Sequence, residues 1–215
     1  MAEKNKQNPM VVFTRWNPYL VIGAPKLTNS KGKEIPLDNV SALCRCGASS
    51  AKPFCDGSHS KVGFSGEKEP DRKEDKTIEY AGTNITIIDN SGVCSSSSKC
   101  TDNVPEVFKS GQKPWIHPDG TDDIRKLVKA IEQCPSGALS YKIGTQRIQD
   151  LDREPVIKVA KNGPLEFVGY IELIDDMNSQ PESKEHYTLC RCGASKNKPF
   201  CDARHKKAGF KDEEN

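Results

Sequence analysis

The sequence has little that is apolar and almost no excess charge of either sign. Hydrophobic residues make up 34% of the 215-residue chain and aromatics 7%. That is thin for one large core, and small domains with thin cores usually need staples. The 32 basic and 30 acidic residues leave a formal charge of +2. Net charge therefore directs the chain neither to nucleic acid nor to an acidic membrane surface. The opening MAEKNKQNPM has no apolar core of a secretory leader, and the run Tyr19–Ala24 is far short of a membrane span. There is also no Gly-x-Ser-x-Gly elbow, phosphate loop or dinucleotide fingerprint. The expectation is a cytoplasmic, non-enzymatic protein with no membrane and no nucleic acid among its partners.

Cysteine is what the chain does have. Nine are present, at 44, 46, 55, 94, 100, 134, 190, 192 and 201. An odd number argues against a closed disulfide framework, and the tight triplets argue for metal. Free thiols fit a reducing cytosol.

The chain also repeats itself. Residues 43–64 read LCRCGASSAKPFCDGSHSKVGF and residues 189–210 read LCRCGASKNKPFCDARHKKAGF; sixteen of the 22 positions are identical at a constant offset of 146. Pro18 and Pro164, and Gly23 and Gly169, match at the same offset. Short strands are predicted at Val11–Phe13, Tyr19–Ile22 and Ser41–Leu43, and again at Ile157–Val159, Leu165–Val168 and Tyr187–Leu189. Asp56 and Asp202 are placed to cap a short helix that carries a histidine. Glu67–Lys76, almost entirely charged, reads as a solvated linker, and Lys142–Pro155 as a weaker one. Lys211–Asn215 reads as a charged end. His186 reads as a surface histidine, and Trp16 and Trp115 as packing residues.

Each repeat offers four soft donors: Cys44, Cys46, Cys55 and His59 in the first, and Cys190, Cys192, Cys201 and His205 in the second. Cys-x-Cys brings two thiolates to one metal, and Cys-x₃-His brings a thiolate and an imidazole together at a helix start. Zinc is the plain alternative, since three cysteines and a histidine make a tetrahedral site. Zinc loops usually separate paired cysteines by two to four residues, whereas here there is one.

These residues closely resemble the CDGSH, or NEET, iron–sulfur family. Its pattern is met by Cys44, Cys46, Ser49, Pro53, Cys55, Asp56, Gly57, Ser58 and His59, and again by Cys190, Cys192, Ser195, Pro199, Cys201, Asp202 and His205. The resemblance implies a 2Fe–2S cluster in each repeat, with Cys44 and Cys46 on one iron and Cys55 and His59 on the other. The histidine ligand raises the potential above that of an all-thiolate cluster, as two do in Rieske centres, and makes the cluster sensitive to acid. The second copy has Ala203 and Arg204 in place of Gly and Ser. Arg204 is expected to set a cation beside His205 and to make its protonation harder than that of His59.

The middle of the chain differs. Asn84–Asp89 is predicted as a strand. Thr121 can cap a helix whose Ile124, Leu127, Val128 and Ile131 recur at helical spacing, and Leu139–Tyr141 can pair with the first strand. Cys94, Cys100 and Cys134 supply three thiolates. Bacterial ferredoxins carry Cys-x₂-Cys-x₂-Cys and a remote Cys-Pro, and here Ser97 stands at the central position. Three thiolates suit a 3Fe–4S cluster, or a 4Fe–4S cluster with a serine, water or distant fourth ligand; His117 is an available imidazole. The plain alternative is that these cysteines are merely buried. The segment resembles the divergent single-cluster ferredoxin domain in Cys94, Cys100, Lys113-Pro114-Trp115-Ile116, Pro118-Asp119 and Cys134-Pro135-Ser136-Gly137-Ala138-Leu139. That family often has a histidine where this chain has Ser96.

The expected fold is α+β. Two small β-rich CDGSH modules (9–65 and 155–211) form an intramolecular pseudo-dimer, joined by a charged linker (66–77) to an inserted ferredoxin-like domain (78–145). NEET proteins form intertwined homodimers, and two copies in one chain can satisfy that pairing in a monomer with internal two-fold pseudosymmetry. The expected cofactors are two 2Fe–2S clusters and one 3Fe–4S or 4Fe–4S cluster. The expected function is electron transfer with a redox partner protein. The alternatives are cluster storage or delivery to apo-proteins, and an enzyme in which an open iron of the middle site binds substrate.

Overall fold

The computed structural model describes residues 8–212 and 214–215. The absence of a leader was read largely from residues 1–7, which lie outside the described residues. The first repeat contributes strands β1 (Met10–Phe13), β2 (Tyr19–Ile22), β3 (Leu27–Thr28), β4 (Glu34–Ile35) and β5 (Val40–Leu43), then the one-turn helix α1 (Ser58–Lys61). The middle segment contributes β6 (Ile78–Ala81), β7 (Thr86–Asp89), α2 (Lys99–Asn103), α3 (Ile124–Glu132), β8 (Leu139–Ile143) and β9 (Gln146–Ile148). The second repeat contributes β10 (Val156–Val159), β11 (Leu165–Val168), β12 (Glu172–Asp175), β13 (His186–Leu189) and the one-turn helix α4 (Arg204–Lys207). The described chain is thus rich in sheet and poor in helix. None of its helices is long and apolar enough to cross a membrane.

The strands form three sheets, ordered β12-β1-β2-β5, β13-β11-β10-β3-β4 and β6-β7-β8-β9. In the first, β1 runs parallel to β12 with Met10 opposite Glu172. In the second, β10 runs parallel to β3 with Ile157 opposite Leu27. At the offset of 146, β3 is the counterpart of residues within β12. Each repeat therefore lends a strand to the other's sheet. Alternation drives the pairing: Tyr19 and Val21 of β2 point inward, as do Ile157 and Val159 of β10. Burying each such side chain contributes roughly 1.5–3 kcal/mol.

The middle segment packs α3 on β8 and α2 on α3. Leu127, Ala130 and Ile131 are the buried stripe of α3. Its cap is Asp123, whose Oδ1 accepts from the Lys126 N–H at 2.9 Å. Thr121, expected as the cap, instead accepts from the Asp123 N–H and shapes the preceding turn. The strand expected from Asn84 begins at Thr86, and it pairs with both β8 and β6. β6 is an edge strand with only Tyr80 half-buried, so it shows no alternation in sequence. Residues 142–148, read as the start of a linker, form the β8–β9 hairpin.

The charged stretch 67–76 carries no strand or helix but is held to the second repeat. The Glu69 N–H donates to the Lys196 carbonyl at 2.8 Å, Lys196 pairs with Glu69 and Asp71, and Asn197 donates to Asp75. The C-terminal tail is likewise tied down, because Asp212 is buried against Arg191. Trp16 is 52% exposed and is not a packing residue.

Candidate metal centres

The two repeats build the same loop with the same hydrogen bonds. Cys44 and Cys190 donate their N–H groups to the carbonyls of Pro53 and Pro199 at 2.9 and 2.8 Å. The Ser49 and Ser195 hydroxyls close the loops by donating to Phe54 and Phe200 at 2.6 and 2.7 Å. Asp56 accepts from the Ser50 and Ser58 N–H groups, which holds its carboxyl well below the usual range, and so ties the loop to α1. Asp202 likewise accepts from the Lys196 and Arg204 N–H groups and ties its loop to α4.

The donors meet in pairs. Cys44 and Cys46 sulfurs are 3.8 Å apart, and Cys55 Sγ is 3.3 Å from His59 Nδ1. In the second repeat the corresponding distances are 3.6 Å (Cys190 to Cys192) and 3.4 Å (Cys201 to His205). Two sulfurs sharing a tetrahedral metal at about 2.3 Å lie about 3.8 Å apart, and a sulfur and an imidazole nitrogen about 3.5 Å. Among the described residues, no three or more His, Cys, Asp or Glu side chains converge on one metal-ion position. The Gly57 and Ala203 N–H groups point at the Cys55 and Cys201 sulfurs at 3.4 and 3.5 Å. Both residues are left-handed, so Ala203 carries about 1–2 kcal/mol of backbone strain that Gly57 does not.

The sites differ in cover. Cys44 and Cys190 are both buried, but Cys201 and His205 are buried where Cys55 and His59 are half-exposed. Burial raises the Cys201 thiol well above its usual value. The hydrogen bond between the Cys190 and Cys192 sulfurs lowers the Cys190 thiol and raises that of Cys192. Burial also lowers His205, helped by the charges of Lys206 and Arg191 and opposed by Asp202. Arg204 is not the cause that was expected, because it turns to Asp202 at 3.2 Å.

The two loops face each other. Cys46 and Cys192 form an antiparallel bridge, which sets their Cα atoms about 4.5–5.5 Å apart. Tyr19 of the first repeat donates to the Cys190 carbonyl at 2.9 Å.

Cys94, Cys100 and Cys134 line one cavity of about 230 Å³ together with Ser97 and Trp115. Burial opposes ionisation of Asp89, Cys94 and Cys100. It raises Cys94, and it pushes Cys100 up to about 12 with help from Cys134 and Cys94. Thiols held like this ionise when a metal group supplies compensating charge, so the donor set fits one. Trp115 donates to Asp89 at 3.2 Å at the cavity wall. His117 lines a different groove, with Tyr80 and Asp119. His186 is buried, 2% exposed, with Nδ1 2.8 Å from Glu185 and 3.0 Å from Ser183. Sequence reasoning placed it on the surface because a lone polar histidine usually lies there.

Sequence reasoning also missed Arg45 and Arg191, which sit between the paired cysteines. Their side chains turn away from the donors into the core. Arg45 donates to the Thr14 and Asn17 carbonyls and stacks on Phe13 and Tyr19. Arg191 donates to the Gly163 and Ala160 carbonyls and pairs with Asp212. Their identity in both repeats was the available signal.

Paired thiolate and imidazole donors in two matched loops, with a three-cysteine cavity beside them, define an iron–sulfur protein. Comparison with known families agrees. The family described as iron-binding zinc finger, CDGSH type, matches residues 16–60 and 162–206, and the one described as divergent 4Fe-4S mono-cluster matches residues 80–144. The chain belongs to the CDGSH iron–sulfur family, with a divergent 4Fe-4S mono-cluster segment between its two CDGSH segments. It is similar to the uncharacterized protein YjdI of Escherichia coli strain K12, at 40% identity over 63 residues, 29% of this chain and 82% of that protein. The YjdI of strain O157:H7 matches to the same extent. No solved structure shows a significant match.

Proposed function

We propose that the chain is a non-enzymatic electron-transfer protein holding three clusters. Two 2Fe–2S clusters sit on Cys44, Cys46, Cys55 and His59, and on Cys190, Cys192, Cys201 and His205. A 3Fe–4S or 4Fe–4S cluster sits on Cys94, Cys100 and Cys134. The pairing of donors at single-metal distances in each CDGSH loop favours two irons per loop over one zinc. The clusters supply one-electron chemistry; the chain's own residues hold them side by side. The observation that carries the reading is this contiguity: Cys46 bridges Cys192, and α4, which bears His205, also reaches the cavity of the middle cysteines. The exchanged strands β3 and β12 support an intramolecular pseudo-dimer, and hence a monomer that meets a redox partner protein.

Iron and acid-labile sulfide per chain, measured on protein purified without oxygen, test the reading. The expected result is about seven or eight irons, two binuclear centres and one of three or four irons. About four irons would leave the middle site empty and remove the relay.

The open first site favours a second reading, delivery of its cluster to an apo-protein. Incubation with an apo-ferredoxin separates the two, since delivery moves iron and carriage moves electrons alone. The same asymmetry sets an acid response. His205 is held below the ordinary histidine value near 6.5. Its neutral, metal-binding form is complete above that value and is lost only as pH falls through the lowered one. A variant keeping only the second CDGSH site should retain its visible absorbance to lower pH than one keeping only the first. Bleaching at one common pH would contradict this.

A further inference from the structure

The cavity of the middle cysteines is completed by another part of the chain. Lys206 of α4, in the second CDGSH repeat, lines it beside Cys94, Cys100 and Cys134. Besides the cysteines, the lining residues that ionise are Asp89 and Lys206. Once a metal group ionises them, the three thiols and Asp89 would gather negative charge in one half-enclosed space. Its lining offers one cation; Lys73, on the charged stretch, is a second within range of Cys94. Arg204, two residues before Lys206, is paired with Asp202. The repeat supplies an internal comparison: at the offset of 146, Lys206 corresponds to Ser60, whose repeat does not line the cavity.

Resting on the cluster reading above, we propose that Lys206 is a residue of the middle site. It supplies the cation that balances the thiolates of Cys94, Cys100 and Cys134, and so sets the reduction potential of the centre they hold. The middle site is then composite, its electrostatics set by the neighbouring CDGSH repeat. A fixed positive charge near a centre favours its reduced, more negative form.

The test is a redox titration of the full-length, anaerobically purified protein, followed by electron paramagnetic resonance of the middle centre. The midpoint should fall in Lys206→Gln and fall further in Lys206→Glu. Lys206→Arg, and the control Lys207→Gln, should stay at the wild-type value. Loss of the middle centre's iron in Lys206→Glu alone, with the CDGSH absorbance kept, would be the same effect in stronger form. Equal shifts from Gln and Glu would mean packing rather than charge and overturn the proposal. So would an unmoved midpoint in protein carrying about seven or eight irons, which would leave the cluster reading standing. A wild type with about four irons would overturn both.

Discussion

Arg191→Ala should destabilise the protein by about 3–5 kcal/mol, the range for breaking a buried pair and stranding its partner. Arg191 is 1% exposed as a side chain and Asp212 is 4%. Removing the guanidinium leaves the Asp212 carboxylate without its buried counter-charge and the Gly163 carbonyl without its donor, while the Ala160 carbonyl keeps the Gly163 N–H. It also removes the cation lying 4.9 Å from the Phe210 ring. Arg45→Ala should cost less, about 1–3 kcal/mol, because it orphans the Asn17 carbonyl and no carboxylate, the Thr14 carbonyl keeping the Asn17 N–H. Denaturant melts of the full-length variants measure both, and adding Asp212→Asn to Arg191→Ala should recover part of the loss. A loss below about 1 kcal/mol for Arg191→Ala would show that the pair contributes little.

Gly193→Ala should empty both CDGSH sites, although it changes only one loop. Gly193 has φ +76°, where alanine costs about 1–2 kcal/mol. More important, its new methyl would land on the Cys46 carbonyl of the other repeat. Gly47 is its mirror image, with a methyl 2.6 Å from the Cys192 carbonyl. The loops must part, and the bridge between Cys46 and Cys192 goes with them. Gly57→Ala is the control: it is also left-handed, but its methyl meets open space. It should keep both sites, since the chain already has alanine, Ala203, at the equivalent position. Iron content and visible absorbance report the outcome; wild-type iron in Gly193→Ala would refute the expectation.

What was legible in the sequence was whatever repeats or has a fixed period. Tyr19–Ile22 and Leu165–Val168 are short, mostly apolar runs between turn residues, and both strands have those bounds. The stripe of α3 was visible because Leu127 and Ile131 recur at helical spacing. The CDGSH donors stood out by their spacing and the family resemblance, and the structure places them in pairs, with Cys94, Cys100 and Cys134 along one cavity. What was not legible depends on neighbours distant in sequence. Nothing near Lys211–Asn215 reveals that Asp212 answers a guanidinium at position 191. Nothing local to His186 reveals its burial, since its counterpart in the first repeat, Val40, is 51% exposed. His117 looked like an available imidazole from composition, and only the fold shows that it lines another groove. Arg204 looked like a neighbour of His205, but the adjacent Asp202 claims it.

The exchanged strands also set an order of events for the nascent chain. When the first repeat leaves the ribosome, β1 has no parallel neighbour, and none exists until Glu172–Asp175 has been made. β3 in turn must wait for β10. Such distant pairings close late and slowly, so the first set of thiols is presented long before its sheet is finished. The middle segment, whose strands pair only with one another, can settle in the interval. Neither CDGSH repeat can then be cut away as a free-standing piece, because each would depart with one of the other's edges.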